Sequence, residues 1–213
     1  MLTWTIRSLG PETQAAYSAL VAEHPATTRG ASTQGGVHRH DDERARAALV
    51  FDPDGTCLGW AQYGSPDEVP VVKHRRTYEA HAEESEAPDW RLCCVFVGSR
   101  FRRLGVARAA VEGALDLIAD EGGGLVEAIS EVTHDREVDP RSLVTATVEL
   151  FERHGFERVR QVGRHAWVVQ RRLEPARAAG RVLDVGIDPS SRVVDAWRGH
   201  AGVIEAVEAR RPE

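Results

Sequence analysis

The 213-residue chain carries 33 acidic and 27 basic side chains, a formal charge of −6, and 42% apolar residues. That apolar share is enough for a core and excludes collagen-like, coiled-coil and wholly disordered chains. The length suits one large domain, or one of ordinary size with an appendage, and the acid excess argues against a nucleic-acid partner, which needs a basic face.

Residues 3–9 (TWTIRSL) alternate and predict a strand. Pro11 then stands where a first helical residue would, with Tyr17, Leu20, Val21 and His24 at helical spacing before Pro25. Residues 26–45 are polar, Gly-rich and without period, which predicts a loop. RAALVFD at 46–52 and TCLGWAQY at 56–63 predict a hairpin turned by Pro53-Asp54-Gly55. Residues 64–89 hold three prolines and an acidic run (Glu79, Glu83, Glu84, Glu86, Asp89), so a mobile surface segment is expected. WRLCCVFV at 90–97 is the most apolar strand. A helix follows over about 105–121, with Val106, Ala110, Gly113, Ala114, Leu117 and Ile118 on one face, and Gly122-Gly123-Gly124 stops it. LVEAISE at 125–131 predicts a strand. A helix over about 142–154 carries Val144, Val148 and Phe151 on one stripe, and 156–161 with 165–173 predict a closing hairpin. The order β-α-loop-β-β-β-α-β-α-β-β is that of an α/β domain with a mixed, mainly antiparallel sheet. Residues 174–213 change character: a linker-like EPARAAG, then a short strand (RVLDVGI) and a short helix (HAGVIEAVEARR).

No apolar run reaches the length of a membrane span, and MLTWTIRSLG lacks the pattern of a signal peptide, so a cytoplasmic location and no membrane partner are expected. Cys57, Cys93 and Cys94 have no CxxC spacing, and adjacent strand cysteines face opposite ways; buried thiols are expected rather than disulfides or a zinc site. Lys73 is the single lysine against 26 arginines, which with abundant Ala, Gly and Val reads as coding bias of a GC-rich, bacterial source.

The chemistry concentrates in 90–121. The strand runs into Arg100-Phe101-Arg102-Arg103-Leu104-Gly105-Val106-Ala107, where small residues let the backbone approach a ligand. The first N–H groups of the following helix lack internal partners and point outward with the positive end of its dipole. Arg100, Arg102, Arg103 and Arg108 add guanidinium groups suited to phosphate. The expectation is a phosphate or pyrophosphate cradle that is neither a Walker loop nor a dinucleotide GxGxxG.

Arg102-Arg103-Leu104-Gly105-Val106-Ala107 resembles the [QR]xxGx[GA] signature of the GNAT superfamily of acyl-CoA-dependent N-acetyltransferases, LFERHGF at 150–156 resembles its L[YF]xxxGF, and the element order over about 3–173 is the family's. CLGWAQYGSPDEVP at 57–70, WRLCCVFV and GGGLVEA are similar to one bacterial subgroup. The resemblance implies a GNAT fold, so a domain over 1–173 is expected; it leaves the C-terminal extension over 174–213 unexplained, and that extension could dock on a second copy to make a homodimer. It implies acetyl-CoA as donor and a primary amine as acceptor, with no metal. Its pyrophosphate would rest on the N–H groups of Arg103, Leu104, Gly105, Val106, Ala107 and Arg108, beside Arg102. Its pantetheine arm would lie like an extra strand along Val95 and Val97. A backbone N–H there would hold the thioester oxyanion while the amine attacks directly.

The acceptor must lose a proton, so a carboxylate or water chain is sought. Glu127 is the first candidate, being charged in an apolar strand; a titratable group in a cleft and a side chain exposed on one sheet face both remain open. Glu68 is the second, against a solvated loop carboxylate. Tyr63 and Tyr78 are candidates for the acceptor pocket wall, and the acidic run for steering a cationic acceptor. Phe151 departs from the family, many members of which carry there a Tyr able to protonate the leaving thiolate; Val144 stands near the place of a cofactor-contacting Asn. Phe151 and the unexplained tail keep open a second class, a non-catalytic acyl-CoA-binding sensor or interaction module. His38-Arg39-His40-Asp41-Asp42 lacks the rest of a metal motif and reads as a polar loop, and Cys94 as a nucleophile is weaker than Cys94 as a buried strand residue.

Overall fold

The computed structural model describes residues 4–22, 46–70, 72–134, 138, 143 and 145–176. The elements run β1 (Thr5–Ser8), α1 (Gln14–Val21), β2 (Arg46–Phe51), β3 (Cys57–Gly64), α2 (Arg75–Ala80), β4 (Trp90–Val97), α3 (Val106–Asp120), β5 (Gly124–Glu131), α4 (Val148–Arg153), β6 (Glu157–Gln161) and β7 (Ala166–Leu173). The strands form one seven-stranded sheet in the order β1-β2-β3-β4-β5-β7-β6. All pairings are antiparallel except β4 with β5. This is the expected α/β GNAT fold, a mixed, mostly antiparallel sheet flanked by helices.

Strand alternation places a helix layer on each face. On one face α3 and α4 bury Val106, Ala110, Ala114, Ile118, Val148 and Phe151 against Ala61, Leu92, Val126, Ala128 and Val169. The long helix lies close because position 113 has no side chain; a Cβ there would stand 2.5 Å from Ile6. On the opposite face two separate clusters form. Tyr17, Leu20 and Val21 of α1 pack on Leu49, Trp60, Cys94 and Phe96. Tyr78 of α2 packs with Ile129, Val162, Ala166 and Val168. The two clusters cover the two halves of the sheet, β2–β4 and β5–β7.

The structure amends three expectations. Pro11 lies in the turn before α1, not inside it; Thr13 closes that turn, accepting from the Gly10 N–H and donating to the Ser8 carbonyl, both at 3.0 Å. Within 64–89, read as a mobile surface segment, stand α2 and a 3-10 turn over Ala82–Glu84, anchored by the buried Tyr78. The helix expected over 142–154 begins only at Val148, because Thr147 caps it, accepting the Leu150 N–H at 3.3 Å. The loop 26–45, the 38–42 cluster, Val144 and the extension beyond residue 176 lie outside the described residues.

Candidate functional site

The site is set by where two parallel strands part. β4 and β5 pair only at Trp90–Val126, Arg91–Glu127 and Leu92–Ala128; beyond these rungs both strands run on, β4 to Val97 and β5 to Glu131, without pairing to each other. A β-bulge marks the same point on the other side of β4. Gln62 and Tyr63 are consecutive on β3, yet they face Cys94 and Leu92, so Cys93 is an extra residue. The extra residue switches faces: Leu92 packs on the α3 side, whereas Cys94 packs on the α1 side. Past the bulge, Val95 and Val97 pair with Ala61 and Gly59 of β3, are half-buried, and leave their other edge toward the fork.

At the far end of β4, a 3-10 turn over Ser99–Phe101 leads into α3. Arg103 and Gly105 both take left-handed backbone, at φ 64° and 90°. Such a conformation is costly for arginine and natural for glycine. Gly105 caps the helix, and its carbonyl accepts the Ala109 N–H at 3.1 Å. The N–H groups before Ala109 have no intrahelical acceptor by helix geometry. Val106 is buried and seats the helix start on the sheet, against Gly59, where a Cβ would come within 2.7 Å of its methyl. Arg102, Arg103 and Arg108 are exposed around this turn, and the Arg100 guanidinium stacks 5.3 Å from the Phe101 ring centroid. Leu104 and Ala107 are half-buried. The contiguous segment 102–108 is therefore gathered into one positive helix start at the tip of β4.

At the root of the fork lies a cavity lined by Val69, Val72, Lys73, Arg91, Cys93 and Glu127, among others. Glu127 is 1% exposed and lines this cavity, so its side chain is not exposed on one sheet face. Its carboxylate accepts the Tyr78 hydroxyl at 2.8 Å and the Gln170 amide at 3.1 Å, and Arg91 Nε stands 3.6 Å away. Arg91 is itself held by donating to the Val69 carbonyl at 2.9 Å and to the Tyr78 hydroxyl at 3.2 Å. Two guanidinium groups flank the Tyr78 ring, Arg160 at 4.5 Å and Arg91 at 5.5 Å from its centroid. Burial, and then the Glu127 charge, push the Tyr78 hydroxyl upward, so it stays a proton donor to the carboxylate. A buried carboxylate persists only when so partnered.

Glu68 is placed differently. Its carboxylate accepts the Ser65 N–H at 2.8 Å and Arg46 at 3.2 Å, closing the turn after β3, and it is not among the cavity walls. Partial burial pushes its carboxyl up, but the Ser65 N–H and Arg46 outweigh this and hold it below the usual range, which makes it a poorer base. Tyr63 turns away toward Glu121, 3.3 Å from its hydroxyl, and packs edge-on to Trp90. The acidic run is largely engaged: Glu79 with Arg75, Glu84 with His81, Glu86 with Arg172, and Asp89 with the Leu125 N–H. Phe151 is fully buried, its ring edge-on to Phe156 at 5.0 Å. Burial pushes the Cys93 thiol up to about 12 and Cys94 well above its ordinary value, which disfavours a thiolate at either position.

The sequence alone does not single out Arg91, Gln170 or Lys73 as neighbours of the site. A signal existed for two of them: Arg91 and Gln170 are polar residues inside apolar strands, as Glu127 is. Nothing in the sequence says that the three meet. Among the described residues no group of three or more His, Cys, Asp or Glu side chains is placed to hold a metal ion, and no helix is long and apolar enough to cross a membrane.

Known proteins of the same shape carry related names. A putative N-acetyltransferase from Lactobacillus plantarum superposes with a TM-score of 0.51 at 15% identity, covering 80% of this chain and 99% of its own. A mosquito arylalkylamine N-acetyltransferase-like protein gives 0.52 at 11% identity, over 80% and 100%. The Escherichia coli ribosomal-protein-S18-alanine N-acetyltransferase gives 0.48 at 18% identity, over 84% and 100%. No curated protein matches by sequence. The family described as Acetyltransferase (GNAT) matches residues 14–156, two thirds of the sequence, and the chain belongs to that family.

Proposed function

We propose that this chain moves an acetyl group from acetyl-CoA to a primary amine by direct attack on the thioester, in the cytoplasm of a bacterium, and belongs to the subgroup marked by its GWAQYG and WRLCC segments. The observation that carries the reading is the fork: a positive helix start at the tip of β4, a stretch of β4 that parts from β5, and a buried carboxylate at its root. The donor set suits acetyl-CoA. The α3 start, with Arg102, Arg103 and Arg108, would hold its phosphates. The edge of β4 at Val95 and Val97 would pair with its amide-bearing arm. Acetyl-CoA supplies an activated acyl carbon; the protein's part is to orient it and to take a proton from the amine. Glu127 lines the cavity and is the proposed proton acceptor, directly or through water, with Arg91, Tyr78 and Gln170 as positioning residues. Glu68 is proposed to act only by shaping the turn that carries Val69 into the cavity wall. The high thiols of Cys93 and Cys94 favour direct attack over an acyl-cysteine intermediate. Residues 1–173 are proposed as the transferase domain, since the last strand among the described residues ends at Leu173, and 174–213 as an extension that pairs two copies.

One observation favours the second reading, an acyl-CoA sensor without turnover: Phe151, at the family's tyrosine position, is sealed in the core and offers no proton to a leaving thiolate. Calorimetric titration with acetyl-CoA and desulfo-CoA, on wild type and Gly105→Glu, tests the cofactor site common to both readings. Binding by wild type, lost when a bulky anion enters the helix start, is expected; no binding by wild type would sink both. Thiol release with an amine library then separates enzyme from sensor.

A further inference from the structure

We propose that Lys73 is a self-acetylation site, its ε-amine receiving the acetyl group of acetyl-CoA bound to the same chain, in the cavity at the root of the fork. The inference rests on the proposed cofactor reading and adds an acceptor to it. Two observations carry it. Lys73 is the only lysine among 213 residues, while 26 other basic residues are arginine, whose guanidinium does not compete as a nucleophile. And that one lysine lines the same cavity as Glu127 and the bulge residue Cys93. Its side chain is about one-third exposed (35%), held by an ion pair to Glu131 at the end of β5, so the ammonium spans from the 72–74 segment to the strand that forms one arm of the fork. Its flexible four-carbon stem is free to rotate from Glu131 toward the rest of that cavity.

The step balances within what the site supplies. The ammonium gives one proton to Glu127 or to water. The neutral amine attacks the acetyl carbonyl carbon, the carbon–sulfur bond breaks as the carbon–nitrogen bond forms, and the amine's second proton leaves with the departing CoA thiol. The product amide has no charge, so the pairing with Glu131 is lost and the acetyl group remains where an outside amine would enter. Self-acetylation therefore acts as a brake on transfer to other acceptors.

The test incubates the full chain with acetyl-CoA and follows intact mass, with peptide mapping of the adduct and desulfo-CoA calorimetry on each variant. One acetyl per chain on Lys73 is expected, with a rate independent of protein dilution. Lys73→Arg should gain none yet bind desulfo-CoA as wild type does, and Glu127→Gln should be slower by about 100-fold, the low end for loss of a general base. An adduct on another amine, or none at all while wild type binds desulfo-CoA, would overturn the assignment of Lys73 and leave the cofactor site standing. Equal labelling of Gly105→Glu, or of heat-unfolded chain, would overturn it by showing that no bound cofactor is needed. Failure of wild type to bind desulfo-CoA would overturn the cofactor reading itself, and self-acetylation with it.

Discussion

The two ends of the β4–β5 fork are built in opposite ways. The tip is assembled from one contiguous run, residues 100–108, in which a strand ends, two left-handed residues turn the chain and a helix begins. The root is assembled from five places: Arg91 on β4, Glu127 on β5, Gln170 on β7, Tyr78 on α2 and Lys73 just before it. Anion binding by backbone N–H groups needs only local geometry, so a short run can encode it. A buried carboxylate needs partners on every side, which no single element can offer. The tip is accordingly exposed and cationic, whereas the root sets cations around one buried carboxylate.

Glu127→Gln should break the comparison most sharply. If the root does the proton transfer and the tip only binds, kcat for an amine acceptor falls by about 10²–10⁴ while desulfo-CoA affinity is retained. A parallel loss in both quantities would mean that the substitution disturbs the whole fork; unchanged turnover would make Glu127 a structural group and move attention to a water chain. Arg91→Met asks what the balance at the root contributes to folding. Removing Arg91 leaves the buried Glu127 carboxylate its Tyr78 and Gln170 donors but takes away its cationic partner, at a cost of about 3 kcal/mol. Denaturant unfolding should report that loss, and restoring stability with Glu127→Gln in the same chain would identify the stranded carboxylate as its cause.

The unequal legibility of the two ends follows from the same difference. The tip could be read from Arg102 to Ala107 because spacing, helix start and charge all lie within one window of sequence. At the root, Glu127 drew notice as a charge in an apolar strand, but its environment could not be read: Gln170 is 43 positions away and Tyr78 is 49. Tyr78 lies in a segment whose sequence predicts mobile surface, because α2 has six residues and only one of them is buried, too little to show a helical period. Glu68 in sequence reads both as a candidate base and as a solvated loop carboxylate, and only the Ser65 turn and Arg46 show how its carboxylate is engaged. The bulge at Cys93 leaves no mark in sequence at all, since CCVFV reads as an even alternation whether or not one residue is extra.

At the tip, Gly105→Ala sharpens the comparison with a smaller perturbation. A Cβ there would meet only the Trp4 ring, at 3.7 Å, so the cost is backbone strain at φ 90° and not a clash. About 1 kcal/mol of stability should be lost, with desulfo-CoA affinity reduced by less than in Gly105→Glu. A larger affinity loss than in the glutamate variant would show that the turn's conformation, not its open space and charge, forms the site.

The smallest effect concerns the far arm of the fork, and its sign is fixed by linkage. Glu149, in the first turn of α4, accepts the Thr133 N–H at 2.8 Å and the His134 N–H at 2.9 Å, tying the chain beyond β5 to that helix. Partial burial raises its carboxyl, but its own N–H, those of His134 and Thr133, and Thr147 outweigh that and bring it down to about 2. A carboxyl lowered by folding adds stability while it is ionised. Its contribution is therefore complete above the usual carboxylate range near 4.5 and fades as pH falls from there toward about 2. Glu149→Gln should thus melt earlier than wild type at pH 7, and the two melting curves should draw together below pH 4. The carboxylate is only part-buried, so solvent screens it and the gap at pH 7 should be modest. A gap that persists unchanged at low pH would mean that Glu149 holds the β5 arm by shape and hydrogen bonding alone. The divergence of β5 from β4 would then owe nothing to charge at its outer end, leaving the buried balance around Glu127 as the electrostatic control on the fork.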